Sequence, residues 1–140
     1  MTKKYKILGK YIKDMSSETA DIETYIFVRD YISRYQLTID INSKALKDKM
    51  IEINTIMKFE DKEESKRKSF FEINYSTIIK IDDEIKDKKD LEKIILFDVQ
   101  IEVYPDMEKS LLDMIHNSGY PAVKFEKKVD FEKLYNQRSN

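Results

Sequence analysis

The chain has 140 residues, 41% of them hydrophobic and 11% aromatic, enough for one domain over residues 1–140 with a substantial core. Its 26 Lys and Arg nearly cancel 27 Asp and Glu, and the net charge of -1 gives no global case for nucleic-acid binding. The absence of Cys excludes disulfides, thiol chemistry and Cys-based zinc sites, and with only 2 Gly a Gly-rich phosphate loop cannot be built.

The opening MTKKYKILGKYIKD lacks the apolar core and small-residue cleavage site of a secretory signal. The longest apolar runs, such as IILF at Ile94 to Phe97, are too short to span a membrane. From Tyr5 to Asp14 the pattern predicts a strand that is apolar on both sides, with Gly9 marking a bulge. Such a strand leaves a sticky edge on an isolated subunit, which predicts self-association. The aromatic stretch TYIFVRDYISRY follows, with neither clean helical nor clean strand periodicity. It reads as an irregular connection on the core or as the wall of an apolar groove, since aromatics bury much area and accept varied polypeptide partners.

YQLTIDI then puts Leu37, Ile39 and Ile41 on one face, and MIEINTIMKFED does the same with Ile51, Ile53, Met57 and Phe59. DKEESKRK reads as a charged hairpin loop. The return strand, Lys68 to Asp82, has Phe71, Ile73, Tyr75, Thr77, Ile79 and Ile81 on its inner face. Its outer face carries Phe70 beside Glu72, an aromatic next to an acid where solvent is expected. Four strands in an antiparallel meander with one face buried are thus predicted.

From about Asp87 the period becomes helical, with Leu91, Ile94, Ile95 and Val99 on one face. Pro105 suits the first position of a second helix whose buried stripe is Met107, Leu111, Met114 and Ile115, with Gly119 at its C-cap and Pro121 beyond. DFEKLYNQ suggests a short helical turn. Strands first and helices after give an α+β fold, a four-stranded antiparallel sheet with C-terminal helices on one face.

Chemistry-bearing motifs are weak. His116, alone of its kind, sits near a helix C-terminus, which favours a cation. DDEIKDKKDLEK fails as a calcium loop, with Lys86 at a ligand position, Asp87 where Gly is required and Lys93 at the end. The basic SKRKS follows Glu63 and Glu64 and reads as a solvated hairpin tip. A small-ligand enzyme and a nucleic-acid-binding module are therefore minor alternatives, and no catalytic residue, metal or cofactor is expected.

Several stretches together resemble the SecB family of bacterial protein-export chaperones. YIKDMSSETAD resembles its Y-x-K-D-x-S-x-E-x-P-N segment, YIFVRDYISRYQLTIDI its V-F-x-x-x-W…L-x-L-D segment, SFFEINYS its F-L-x-E-V strand, and SGYPAVKFEKKVDFEKLY its C-terminal G-x-F-P-x-L-x-L-x-P-V-N-F-D-A-L-Y. Ala20 and its neighbours replace the family's prolines, Tyr31 its usual Trp, and the near-neutral charge its usual acidity. The resemblance implies a cytoplasmic, ATP-independent homotetramer, a dimer of dimers, that holds precursors unfolded and delivers them to the ATPase SecA. It implies SecA contact at Asp14, Glu18, Phe70 and Glu72. A client groove is expected along Tyr25, Phe27, Tyr31 and Met107, and Phe71, Ile73 and Tyr75 fall on the strand face that holds the oligomer and core together. A SecB-like chaperone dedicated to one client, such as an antitoxin, is the alternative.

Overall fold

The computed structural model describes residues 4–63, 66–126 and 128–139. Four strands, β1 (Tyr5–Glu18), β2 (Gln36–Ala45), β3 (Met50–Glu60) and β4 (Phe70–Ile81), form one antiparallel sheet in the order β1-β4-β3-β2. The first strand is thus brought beside the last, and β1 and β2 are the two edges. The alternating residues are the cause. Ile51, Ile53, Met57 and Phe59 of β3 and Phe71, Ile73, Tyr75, Ile79 and Ile81 of β4 are all buried on the inner face. The β2–β3 hairpin turns through Lys47, Asp48 and Lys49, the last two left-handed, with the Met50 N–H donating to the Lys47 carbonyl at 3.2 Å. Of the loop DKEESKRK, residues 64 and 65 lie outside the described residues.

β1 runs four residues further than its alternation suggests, pairing with β4 as far as Glu18 and Phe70. Register shifts fall between Ile7 and Gly9 and between Ile12 and Asp14, so the expected bulge at Gly9 is present and a second one follows. Beyond Gly9 the strand keeps two polar ties to the helical layer, Lys10 to Asp106 and Ser17 Oγ to Ser118 Oγ at 2.6 Å. Leu8, Tyr11, Ile12 and Met15 are exposed apolar side chains along it.

Three expectations are corrected. The aromatic segment is a helix, α1 (Ile22–Tyr31), followed by a 3-10 turn, Ile32–Arg34. Asp21 caps it in an extended conformation, its Oδ1 accepting from the Thr24 N–H at 2.8 Å. Only Thr24 and Val28 of α1 are buried, a stripe too narrow to impose a visible period. The second of the two expected C-terminal helices does not begin at Pro105. The stretch runs as α2 (Lys88–Lys93), a π-turn (Ile94–Asp98) and α3 (Val99–Asn117), with Pro105 inside α3. Proline removes the N–H that would bond the carbonyl of Ile101. Both residues lie on the exposed side, where solvent can satisfy that carbonyl. The buried seam Val99, Val103, Met107, Leu111 and Ile115 recurs every four residues and faces the core. Gly119 ends the helix at φ 108°, and α4 (Phe131–Ser139) replaces the short turn expected there.

Candidate polypeptide-binding surfaces

The ladder register gathers the residues of the outer face. Glu18 lies opposite Phe70, Ser16 opposite Glu72 and Asp14 opposite Asn74. Opposed residues of an antiparallel pair share a face, so Asp14, Glu18, Phe70 and Glu72 lie together on the uncovered side of β1 and β4. Phe70 is 55% exposed, a large apolar side chain standing among acids. Glu72 carries a partner that local sequence does not reveal, Lys58 at 3.4 Å on β3. Lys13 and Glu52 form a second pair on this face at 2.6 Å. The hydrogen bond from Lys13, helped by Asn54, holds the Glu52 carboxyl below its usual range. No ion pair is formed by Asp14 or Glu18 among the described residues.

The aromatic residues of α1 divide into two clusters. Residues two apart on a helix point about 200° apart, so Tyr25 and Phe27 leave on opposite flanks. The Tyr25 hydroxyl donates to the Gly119 carbonyl at 2.9 Å, and its ring lies 5.3 Å from that of Tyr120. Glycine is needed at position 119 both for its positive φ and for space, since a Cβ there would stand 2.5 Å from Tyr25 Cε1. On the other flank Phe27 and Tyr31 have ring centroids 4.7 Å apart, with the Arg34 guanidinium 4.4 Å from the Tyr31 centroid. Met107 departs from its expected place. It is 1% exposed within the α3 seam and lines no surface of this subunit. Phe71, Ile73 and Tyr75 lie in the core beneath the sheet.

Beneath α1, the Tyr35 hydroxyl accepts from the Ser69 N–H at 3.0 Å, and Ser69 Oγ lies 3.1 Å from the Tyr120 hydroxyl and 2.6 Å from Thr19 Oγ1. Burial raises the Tyr35 pKa above its ordinary value. His116 is a structural tie, its Nε2 hydrogen-bonding the Val123 carbonyl at 2.8 Å. No group of three or more potential metal ligands occurs among the described residues. None of the helices so described is long and apolar enough to cross a membrane.

A model of the family described as "Preprotein translocase subunit SecB" matches residues 1–140. A Pelagibacter ubique (strain HTCC1062) chain assigned as the protein-export protein SecB is 58% identical over all of both chains. The protein-export protein SecB of Methylocella silvestris is 21% identical over 92% of this chain and 78% of its own. Among solved structures, a SecB-like chaperone from Mycobacterium tuberculosis, in complex with a ChAD peptide from the HigA1 antitoxin, has a TM-score of 0.65. It covers 89% of this chain and 91% of its own at 8% identity, a likeness of fold. With a family match along its whole length and an antiparallel sheet carrying its helices on one face, the chain belongs to the SecB family of protein-export chaperones, which are not enzymes.

Proposed function

We propose that this protein is a cytoplasmic, ATP-independent holdase that binds unfolded precursors through the aromatic surface of α1 and delivers them to SecA through the outer face of its sheet. It acts as a homotetramer, a dimer of dimers, and needs no cofactor. The observation that carries the delivery step is the grouping of Asp14, Glu18, Phe70 and Glu72 at one end of the β1–β4 ladder. Carboxylates there would speed encounter with a basic segment, and the exposed ring would give the complex residence time. Phe27 and Tyr31 supply apolar contact area suited to varied extended segments. Exposed apolar residues along β1 support assembly into larger species.

Glu72→Lys would set a second ammonium beside Lys58, and Asp14→Lys would remove an acid that has no such partner. Together they are expected to weaken SecA binding about tenfold or more at low salt, less at high salt, with fold and client binding retained. Phe70→Ala should weaken it with little salt dependence. Equal SecA affinity for parent and double reversal at low ionic strength would remove this docking face.

Phe27→Ala with Tyr31→Ala should weaken binding of an unfolded polypeptide by about thirtyfold, the range for losing buried aromatic anchors. The parent's binding should show a negative heat-capacity change. Undiminished suppression of aggregation by this variant would rule out α1 as the client surface.

A second reading, a SecB-like chaperone dedicated to one client such as an antitoxin, draws on two observations. The M. tuberculosis chaperone holds an antitoxin peptide, and ion pairs offset the acids Glu72 and Glu52 on the outer face. A panel of unrelated unfolded chains separates the two, since a general holdase binds most of them and a dedicated one binds a single sequence.

A further inference from the structure

We infer that Arg34, anchored by Asp61, is the positioning residue of the Phe27–Tyr31 aromatic pair and thereby sets client affinity. The inference rests on the client surface proposed above and adds what holds it in shape. Only Thr24 and Val28 of α1 are buried; Tyr25 and Phe27 are half-buried against the core and Tyr31 is 42% exposed, so packing alone holds the outer ring of the pair weakly. Polar ties act at both ends. At the start, Arg67 reaches Asp21 at 3.3 Å across the surface. At the far end, Arg34 Nη2 meets Asp61 Oδ2 at 2.8 Å and Nη1 meets Glu63 Oε2 at 3.2 Å.

This second tie is unlike a surface ion pair, because the Asp61 side chain is only 2% exposed. Its other oxygen accepts the Glu63 N–H at 3.1 Å, so the carboxylate is itself locked. A buried carboxylate without a cation is costly, which keeps the guanidinium in place. In that position its carbon lies 4.4 Å from the Tyr31 centroid and 5.9 Å from that of Phe27. The Arg34 Nε is buried without a partner. The guanidinium's placement is therefore set by the two carboxylates and the two rings, not by saturation of its donors. Because the guanidinium carbon lies within 6 Å of both ring centroids while Asp61 holds Nη2, a turn of either ring disturbs its contact with the group.

Arg34→Lys tests this in the full-length chain, since lysine keeps the charge beside Asp61 but loses the plane and the fork. The probe is reduced, carboxymethylated α-lactalbumin, a permanently unfolded chain. Expected are an affinity loss of about tenfold, shifted Tyr31 and Phe27 ring resonances by NMR, and no further loss when Arg34→Lys is added to Phe27→Ala/Tyr31→Ala. Asp61→Asn, which keeps a hydrogen-bond acceptor, should reproduce the loss and serves if the lysine variant fails to fold. An equal loss with and without the two rings would make Arg34 a direct client contact and overturn the positioning role. Unchanged affinity of Arg34→Lys and Asp61→Asn beside a weakened ring variant would overturn it as well. Full affinity of the ring variant would remove the client surface and this inference with it.

Discussion

Replacing Ile12 and Met15 with aspartate is expected to convert the assembled protein into 16.8 kDa subunits. Both residues lie on β1 opposite inward-facing partners, Ile12 opposite Tyr75 and Met15 opposite Ile73, yet both are more than 40% exposed. They are inner-face side chains that the subunit covers only in part. Ile101 of α3, 51% exposed, is a further apolar side chain on the helical layer. The two sheet edges differ in the same sense. At β2, Arg138 of α4 donates to the Ile41 carbonyl at 2.8 Å and occupies an edge acceptor. β1 offers its outward backbone groups beside bare apolar side chains. Burying those side chains against a second copy stabilises assembly by about 25 cal/mol per Å2 removed from water, and two buried carboxylates would oppose it far more strongly. Light scattering at micromolar concentration should give about four times the subunit mass for the parent and the subunit mass for the variant. A monomeric parent, or an undisturbed variant, contradicts assembly through β1.

The largest effect on stability is expected from Gln100. The side chain is 1% exposed at the start of α3, directly after the π-turn. Its Nε2 donates to the Ile95 carbonyl at 3.2 Å, and its Oε1 accepts from Thr55 Oγ1 on β3 at 3.0 Å. One residue thus serves a π-turn carbonyl and fastens that turn to the sheet. Gln100→Leu is close in size but leaves the buried Thr55 hydroxyl without its acceptor and the Ile95 carbonyl without its side-chain donor. The cost is about 2–4 kcal/mol, or roughly 8–15 °C in Tm for a chain of this length. Adding Thr55→Val should recover part of the loss, because the orphaned hydroxyl disappears with it. A thermal melt of Gln100→Leu matching that of the parent would show that the pair contributes nothing.

The sheet is legible because β3 and β4 bury one face and β2 turns Leu37, Ile39 and Ile41 to the core, and burial of one face writes a period of two into the chain. α1 is not, because two buried positions in ten residues leave no stripe to detect. The start of the long helix was misread for a different reason. The π-turn breaks the helical phase between Ile95 and Val99, and Pro105 then looks like a beginning when it is a tolerated interior residue on the exposed side. On the outer face, Phe70 and Glu72 could be placed together from their spacing alone. Their meeting with Asp14 and Glu18 depends on a cross-strand register of more than fifty residues' separation, and the offsetting Lys58 depends on β3. Met107 is expected at a client groove, whereas its position in a four-residue seam puts it in the core.

The two bulges of β1 bear on how the chain can change in length. At each, two residues stand where a regular ladder needs one, Leu8 with Gly9 opposite Ile78 and Lys13 with Asp14 opposite Asn74. Deleting one member of either pair restores a regular ladder and leaves every later residue opposite its present partner. A single-residue deletion elsewhere in β1 would send all the residues beyond it to the wrong side of the sheet. Gaps between this strand and those of its relatives should therefore collect at these two points, where a codon can be gained or lost while Tyr11, Asp14 and Glu18 keep their faces.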